Sequence, residues 1–251
     1  MHKLKLAACL LGLTAFAASQ GMAALVNVTD DPELTGTGLG AVLTIVTAHE
    51  TGPNGDGLES GCVSWNGSAD VLADCTSGFE GAGGDESTGA SQTLTRELSE
   101  IVGLTTIADI ALVVNIDEPG NDGNLDLRDL YFTIYSADGE DEIFSAFLDE
   151  ASINLMNGSG TGVGQSGFLF ILDDDQRDDA MTNETIAGGF DETWRIGGGF
   201  LAENFAGGPE TLFVTKVPGD EVSEVPEPSS MILIGGGLLG LAFFRRKLTS
   251  R

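Results

Sequence analysis

Six oxygen-bearing side chains crowd one short stretch of the chain: Asp117, Glu118, Asp122, Asn124, Asp126 and Asp129. Asp122, Asn124 and Asp126 alternate along a Gly-bearing turn, the kind of hard-oxygen array that takes Ca2+. The spacing follows the start of an EF-hand loop. It lacks the glycine required at the sixth position, where Leu127 stands, and the glutamate at the twelfth, where Thr133 stands. An EF-hand is therefore excluded. A calcium site of another geometry stays open beside the plain alternative, a solvated acidic loop. Asp173 to Asp179 offers the same two readings on a weaker pattern.

Other chemistry finds little support. His2 and His49 are the two histidines, and no G-x-S-x-G is present. A serine nucleophile with its base and orienting acid is thus not expected. His49 reads as a packing or turn residue. Gly162 to Gly167 fits G-x-G-x-x-G, but a strand-like segment follows it where the dinucleotide motif needs a helix N-terminus. Two carboxylates for glycoside cleavage can be found at any spacing among 39 acids, so no pair is singled out. No catalytic residue is assigned. Trp65 and Trp194 have two readings, stacking platforms for sugar rings or buried core aromatics.

Three cysteines occur. Cys9 lies in an apolar leader, leaving Cys62 and Cys75 as an even pair. In an oxidising compartment such a pair reads as a disulfide. A zinc site would need more ligands than one further histidine supplies.

The compartment follows from the ends. Residues 1–23 have a basic start (His2, Lys3, Lys5), a short apolar run and small residues around Gly21 to Ala24, the layout of a secretory signal peptide. Cleavage is placed after Ala23, with Ser19 and Ala24 as alternatives. Net charge is −28, from 11 Lys and Arg against 39 Asp and Glu. The segment between the ends keeps only Arg96, Arg128, Arg177, Arg195 and Lys216 as cations, yet holds every acid except Glu227. Such a surface repels nucleic acid and anionic lipid.

The elements that must position these residues read as strands. Period-2 patterns run through Leu39–Ala48, Gln92–Leu98, Asp109–Asp117 and Leu130–Ser136, and again near Gly167–Asp173, Glu192–Leu201 and Glu210–Val217. Asp138-Gly139 predicts a tight hairpin into the strand of "EIFSAFL". The segments "ETGPNGDGLESG", "DEPGNDGNLD" and "DDDQRDDAMTNE" read as loops, and the one weak helical candidate covers Glu97 to Ile107. The expected fold is all-β: an antiparallel β-sandwich, jelly-roll-like, over residues 24–217. Residues 218–230 read as a linker carrying Pro226-Glu227-Pro228.

The tail, 231–251, joins an apolar run (Met231 to Phe244) to a basic end, Arg245-Arg246-Lys247. As a helix that run is about 21 Å long against a hydrocarbon core of roughly 30 Å, a short transmembrane span with its basic end cytoplasmic. Pro226, Glu227 and Pro228, the apolar segment, and Arg245, Arg246 and Lys247 together resemble the PEP-CTERM sorting signal of Gram-negative bacteria. That resemblance implies a membrane-bound exosortase as processing partner, reached through the Sec export machinery. The middle of the chain is similar to sandwich-like domains common in such proteins. The expected function is that of an exported, non-catalytic protein. It is tethered transiently in the inner membrane and then sorted to the cell surface or extracellular matrix, with a role in envelope, exopolysaccharide or biofilm structure. A calcium-assisted carbohydrate-binding module with polysaccharide as partner is the alternative, and a carboxylate-dependent glycoside hydrolase a further one.

Overall fold

A computed structural model describes residues 24–28, 42–49, 57–89, 91–115, 124–148, 152–156, 167–203 and 209–218. Within them lie twelve strands and one α-helix. The strands are β1 (Ala24–Asn27), β2 (Leu43–Ala48), β3 (Leu58–Trp65), β4 (Asp70–Leu72), β5 (Arg96–Glu97) and β6 (Ile110–Asn115). They continue with β7 (Asn124–Tyr135), β8 (Glu142–Leu148), β9 (Ile153–Met156), β10 (Gly167–Leu172), β11 (Arg195–Glu203) and β12 (Glu210–Lys216). The helix α1 spans Asp174–Ile186.

All strands join one sheet, in the order β2-β12-β6-β10-β1-β8-β7-β11-β3-β4, with β5 on β11 and β9 on β7. The sheet curls until its two ends face each other. Gly61 of β3 comes so close to Val46 of β2 that a Cβ there would lie 2.8 Å from Val46 Cγ1, and Gly198 of β11 faces Leu212 of β12. One core fills the space between, built from Ile45 and Val46, Leu112 and Val114, Phe132 and Ile134, Ile196 and Phe200, and Leu212 and Val214. The β expectation holds. Separate antiparallel sheets do not appear, because β1 links the halves, antiparallel to β10 and parallel to β8.

Strand β7 shows how the pattern is read out. Phe132 and Ile134 point inward by alternation, and so do both Leu127 and Leu130 although two residues lie between them. The β11 ladder steps from Leu127 to Asp129, setting Arg128 aside as a bulge. Asp126 and Asp129 are thereby placed on the outer face together. The predicted hairpin is present: Gly139 has φ +71° and its N–H donates to Ser136 O at 2.9 Å. Asp138 closes that turn, accepting from Ser136 Oγ at 2.7 Å and from the Glu140 N–H. Those two bonds hold its carboxyl below the usual range.

Several expectations are corrected. Residues 174–186 are a helix rather than a loop, started by Asp173, whose Oδ1 accepts the Gln176 N–H at 2.8 Å. Asp174 and Asp175 suit the positive end of the helix dipole. Only Gln176 and Ala180, one turn apart, are buried, too thin an apolar stripe to register as periodicity. Glu97 to Ile107 forms no α-helix; two single 3-10 turns occupy Leu98–Glu100 and Ile107–Asp109. Leu58 to Gly61 and Asn124 to Asp126, read as loop, are strand. Of Gln92–Leu98 only Arg96 and Glu97 pair in the sheet. The rest seals the outer edge of β2, where the Leu94 N–H donates to Ile45 O and Arg96 Nε to Thr44 O. Among the described residues no helix is long and apolar enough to cross a membrane. The expected leader, 1–23, and the expected tail helix, 231–251, lie outside them.

Candidate functional site

The outer face of β7 is covered by a strap, residues 73–86, fastened at its start by a disulfide between Cys62 of β3 and Cys75, Cα to Cα 5.6 Å. The glycine run of β11 makes room for it. At Gly199 a Cβ would lie 2.7 Å from both Cys62 Cβ and Tyr131 Cε1, so only glycine lets the bridge and the ring lie flat across the strand. Tyr131 lies between Phe79 of the strap, whose ring is tilted against it with centroids 4.8 Å apart, and Phe147 of β8, stacked on it at 5.7 Å. Its hydroxyl oxygen accepts the Thr76 N–H at 3.2 Å. Thr76 Oγ1 in turn meets Thr133 Oγ1 at 3.1 Å and the Tyr135 hydroxyl at 3.3 Å. Burial raises both tyrosine pKa values, so these phenols stay neutral.

Asp129 belongs to the same covered face and is 6 % exposed. Its Oδ2 accepts the Glu80 N–H of the strap at 2.7 Å and its Oδ1 accepts the Leu130 N–H at 2.8 Å. Burial pushes its carboxyl above the usual range, and the two amides pull the other way. Of the other expected calcium donors, Asp126 Oδ1 accepts from Asn154 Nδ2 at 2.7 Å, and Asn124 contributes its backbone to the ladder opposite Met156. Asp117, Glu118 and Asp122 lie outside the described residues. Among the described residues no group of three or more His, Cys, Asp or Glu is arranged to hold a metal ion.

The two tryptophans part company. Trp194 is buried in the main core, 6 % exposed, and offers no ring to a ligand. Trp65 is half-buried; its Nε1–H donates to Ala137 O at 3.0 Å, and the Arg195 guanidinium lies 4.3 Å above its ring centroid. Arg195 is itself fixed: Nε donates to Thr95 Oγ1 at 2.8 Å, and the other nitrogens donate to Thr95 O and Glu97 Oε1. Asp70 Oδ1 accepts from both the N–H and the hydroxyl of Thr95, tying β4 into the cluster. His49 follows β2, its Nδ1 3.9 Å from the buried Glu59 Oε1.

Sequence reasoning did not find Arg195, Thr95, Thr76 or the tyrosine pair. One signal was present: the chain's two tyrosines, Tyr131 and Tyr135, are four positions apart in a strand-like segment and so share one face of it.

The contacts described so far fasten the strap and the strand edges to the sheet. The chemistry of delivery lies beyond Pro218, the last described residue. Residues 224–247 match the PEP-CTERM protein-sorting motif. The chain carries that sorting signal. Its bearers are exported proteins processed by exosortase, a membrane enzyme, and pass through the membrane during sorting. Pro226, Glu227, Pro228, Arg245, Arg246 and Lys247 all fall within the matched stretch. No curated protein and no solved structure matches the chain.

Proposed function

We infer that this is an exosortase-sorted surface or matrix protein. The Sec machinery exports it behind a leader cut after Ala23, and the 231–251 tail tethers it briefly in the inner membrane. It is then released near Pro226-Glu227-Pro228 to act without catalysis in envelope, exopolysaccharide or biofilm structure. The observation that carries this reading is the sorting motif at 224–247. The character of the folded part agrees with it. The side chains of Asp129 and Arg195 are spent on internal bonds, and the strap is locked by a disulfide suited to an oxidising compartment. Its sheet edge at β2 is sealed against uncontrolled strand addition.

The test is deletion of Val225–Arg251 in the native host, followed by fractionation. The deleted protein should fold and be exported but fail to reach the surface or matrix fraction. Unchanged surface delivery would refute the sorting role. Disruption of the matrix in a strain lacking the whole protein would support the structural role; a matrix indistinguishable from that of the parent strain would count against it.

A further inference from the structure

Cys62 receives both ends of the strap. Its Sγ is bonded to Cys75 at the strap's start, and its N–H donates at 2.8 Å to Oε1 of Glu86 at the far end. Strand β4 covers β3 only along Val63–Trp65, so the preceding stretch takes its partners from the strap. Asp85 meets Ser60 twice: its Oδ2 accepts the Ser60 N–H at 3.0 Å, and its own N–H donates to Ser60 O at 3.2 Å. Ser60 Oγ accepts the Gly83 N–H at 2.9 Å. The Asp85 and Glu86 carboxylates thus stand where the carbonyls of a neighbouring strand would be.

The same residues reach the opposite end of the sheet. The His49 N–H donates to Asp85 O at 2.9 Å, the Ser87 N–H donates to Thr47 O at 2.8 Å, and Ala48 and Glu86 form an antiparallel bridge. Residues 83–87 therefore fill the gap between β2 and β3 and close the curled sheet into a ring. They read Gly-Gly-Asp-Glu-Ser and bring no apolar side chain to the core. Hydrogen bonds alone hold them, and each is weak in net terms against the entropy of ordering the segment. The near end is no firmer, since β4 is three residues long with none buried. The covalent bond at Cys75 is what fixes it.

We propose that the Cys62–Cys75 bridge is a redox latch on this ring: formed, it keeps residues 83–87 in the gap; reduced, it lets the strap leave and the gap between β2 and β3 open while the other ladders persist. Cys62 is wholly buried and Cys75 half-buried, so a thiol reaches the bridge at Cys75. Its thiolate attacks Cys75 Sγ, the S–S bond breaks, and Cys62 departs as a thiolate. A second thiol of the reductant then releases Cys75, and the reductant ends as a disulfide. Closure is the reverse exchange, in which a donor disulfide takes up the two electrons and two protons and ends as a dithiol. The partner implied is such a disulfide donor. The latch itself is independent of the export reading; only the timing of closure, after export, rests on it.

The experiment is amide hydrogen exchange on the full chain in detergent micelles, before and after a dithiol has reduced the bridge, with both thiols then counted by alkylation. Exchange in peptides covering 44–49, 58–65 and 83–89 should speed up about tenfold or more on reduction, and the β6–β12 ladder should keep its protection. The Cys62→Ser, Cys75→Ser chain should show the same fast gap without reductant and no response to the dithiol. Unchanged exchange in the fully reduced chain would overturn the latch. Equal acceleration in the β6–β12 ladder would overturn it too, because the bridge would then hold the whole fold. A bridge that the dithiol cannot reduce under native conditions would overturn the entry at Cys75. Free thiols on chain recovered from the cell surface would overturn the timing alone.

Discussion

Asp129 shows how one residue helps hold the strap closed. Its two oxygens satisfy the Glu80 and Leu130 amides, so Asp129→Ala should cost about 2 kcal/mol in urea unfolding, the usual penalty for stranding buried donors. A loss under about 0.5 kcal/mol would show that water takes the place of the carboxylate. Because burial raises this carboxyl's pKa, the folded state holds its proton to higher pH than the unfolded chain does. The contribution is present in full below the unfolded value of about 4 and is lost as pH rises through the raised folded value. Wild type should therefore lose stability relative to Asp129→Asn as pH climbs through that window, and a flat difference would contradict the assignment. Arg195 makes a smaller, separate claim. Arg195→Ala should uncover the Trp65 face, shift tryptophan emission to the red and cost about 1 kcal/mol. Emission that stays unchanged would place Trp65 elsewhere.

At the scale of elements, the strap, the disulfide and the glycine run of β11 act as one unit. Cys62→Ser with Cys75→Ser should cost roughly 3 kcal/mol, the chain-entropy estimate for a short loop. Limited proteolysis should then cut first within 73–86, leaving the sheet whole. Cutting in β7 or β11 before the strap would break the unit apart. Gly199→Ala should lose about 1–3 kcal/mol, since its Cβ meets Cys62, Tyr131 and the Gly61 carbonyl together. The strands of this unit were partly legible. Leu130, Phe132 and Ile134 alternate cleanly, and Asp138-Gly139 announces its turn, because period and positive φ are local properties. The Arg128 bulge, the burial of Asp129 and the separation of Trp65 from Trp194 were not legible. Each depends on which strand lies alongside, and pairing between distant segments leaves no mark in a single sequence. Helix α1 escaped for another reason: it stands on a cap and two buried side chains, with no apolar stripe to read.

For the whole molecule, the charge of the folded part and the sorting motif at 224–247 matter most. The dense acids of the middle keep the domain soluble and away from anionic surfaces. The motif at 224–247 ties the tail to sorting. Here the sequence was most informative, since the motif at 224–247 is recognised from its linear pattern alone. Intact-mass measurement and terminal sequencing of the protein recovered from the cell surface or matrix test this account most directly. The predicted species begins at Ala24, contains the Cys62–Cys75 bridge and ends near Pro226-Glu227-Pro228, without Arg245, Arg246 and Lys247. Recovery of the surface protein with its C-terminus intact at Arg251 would contradict it.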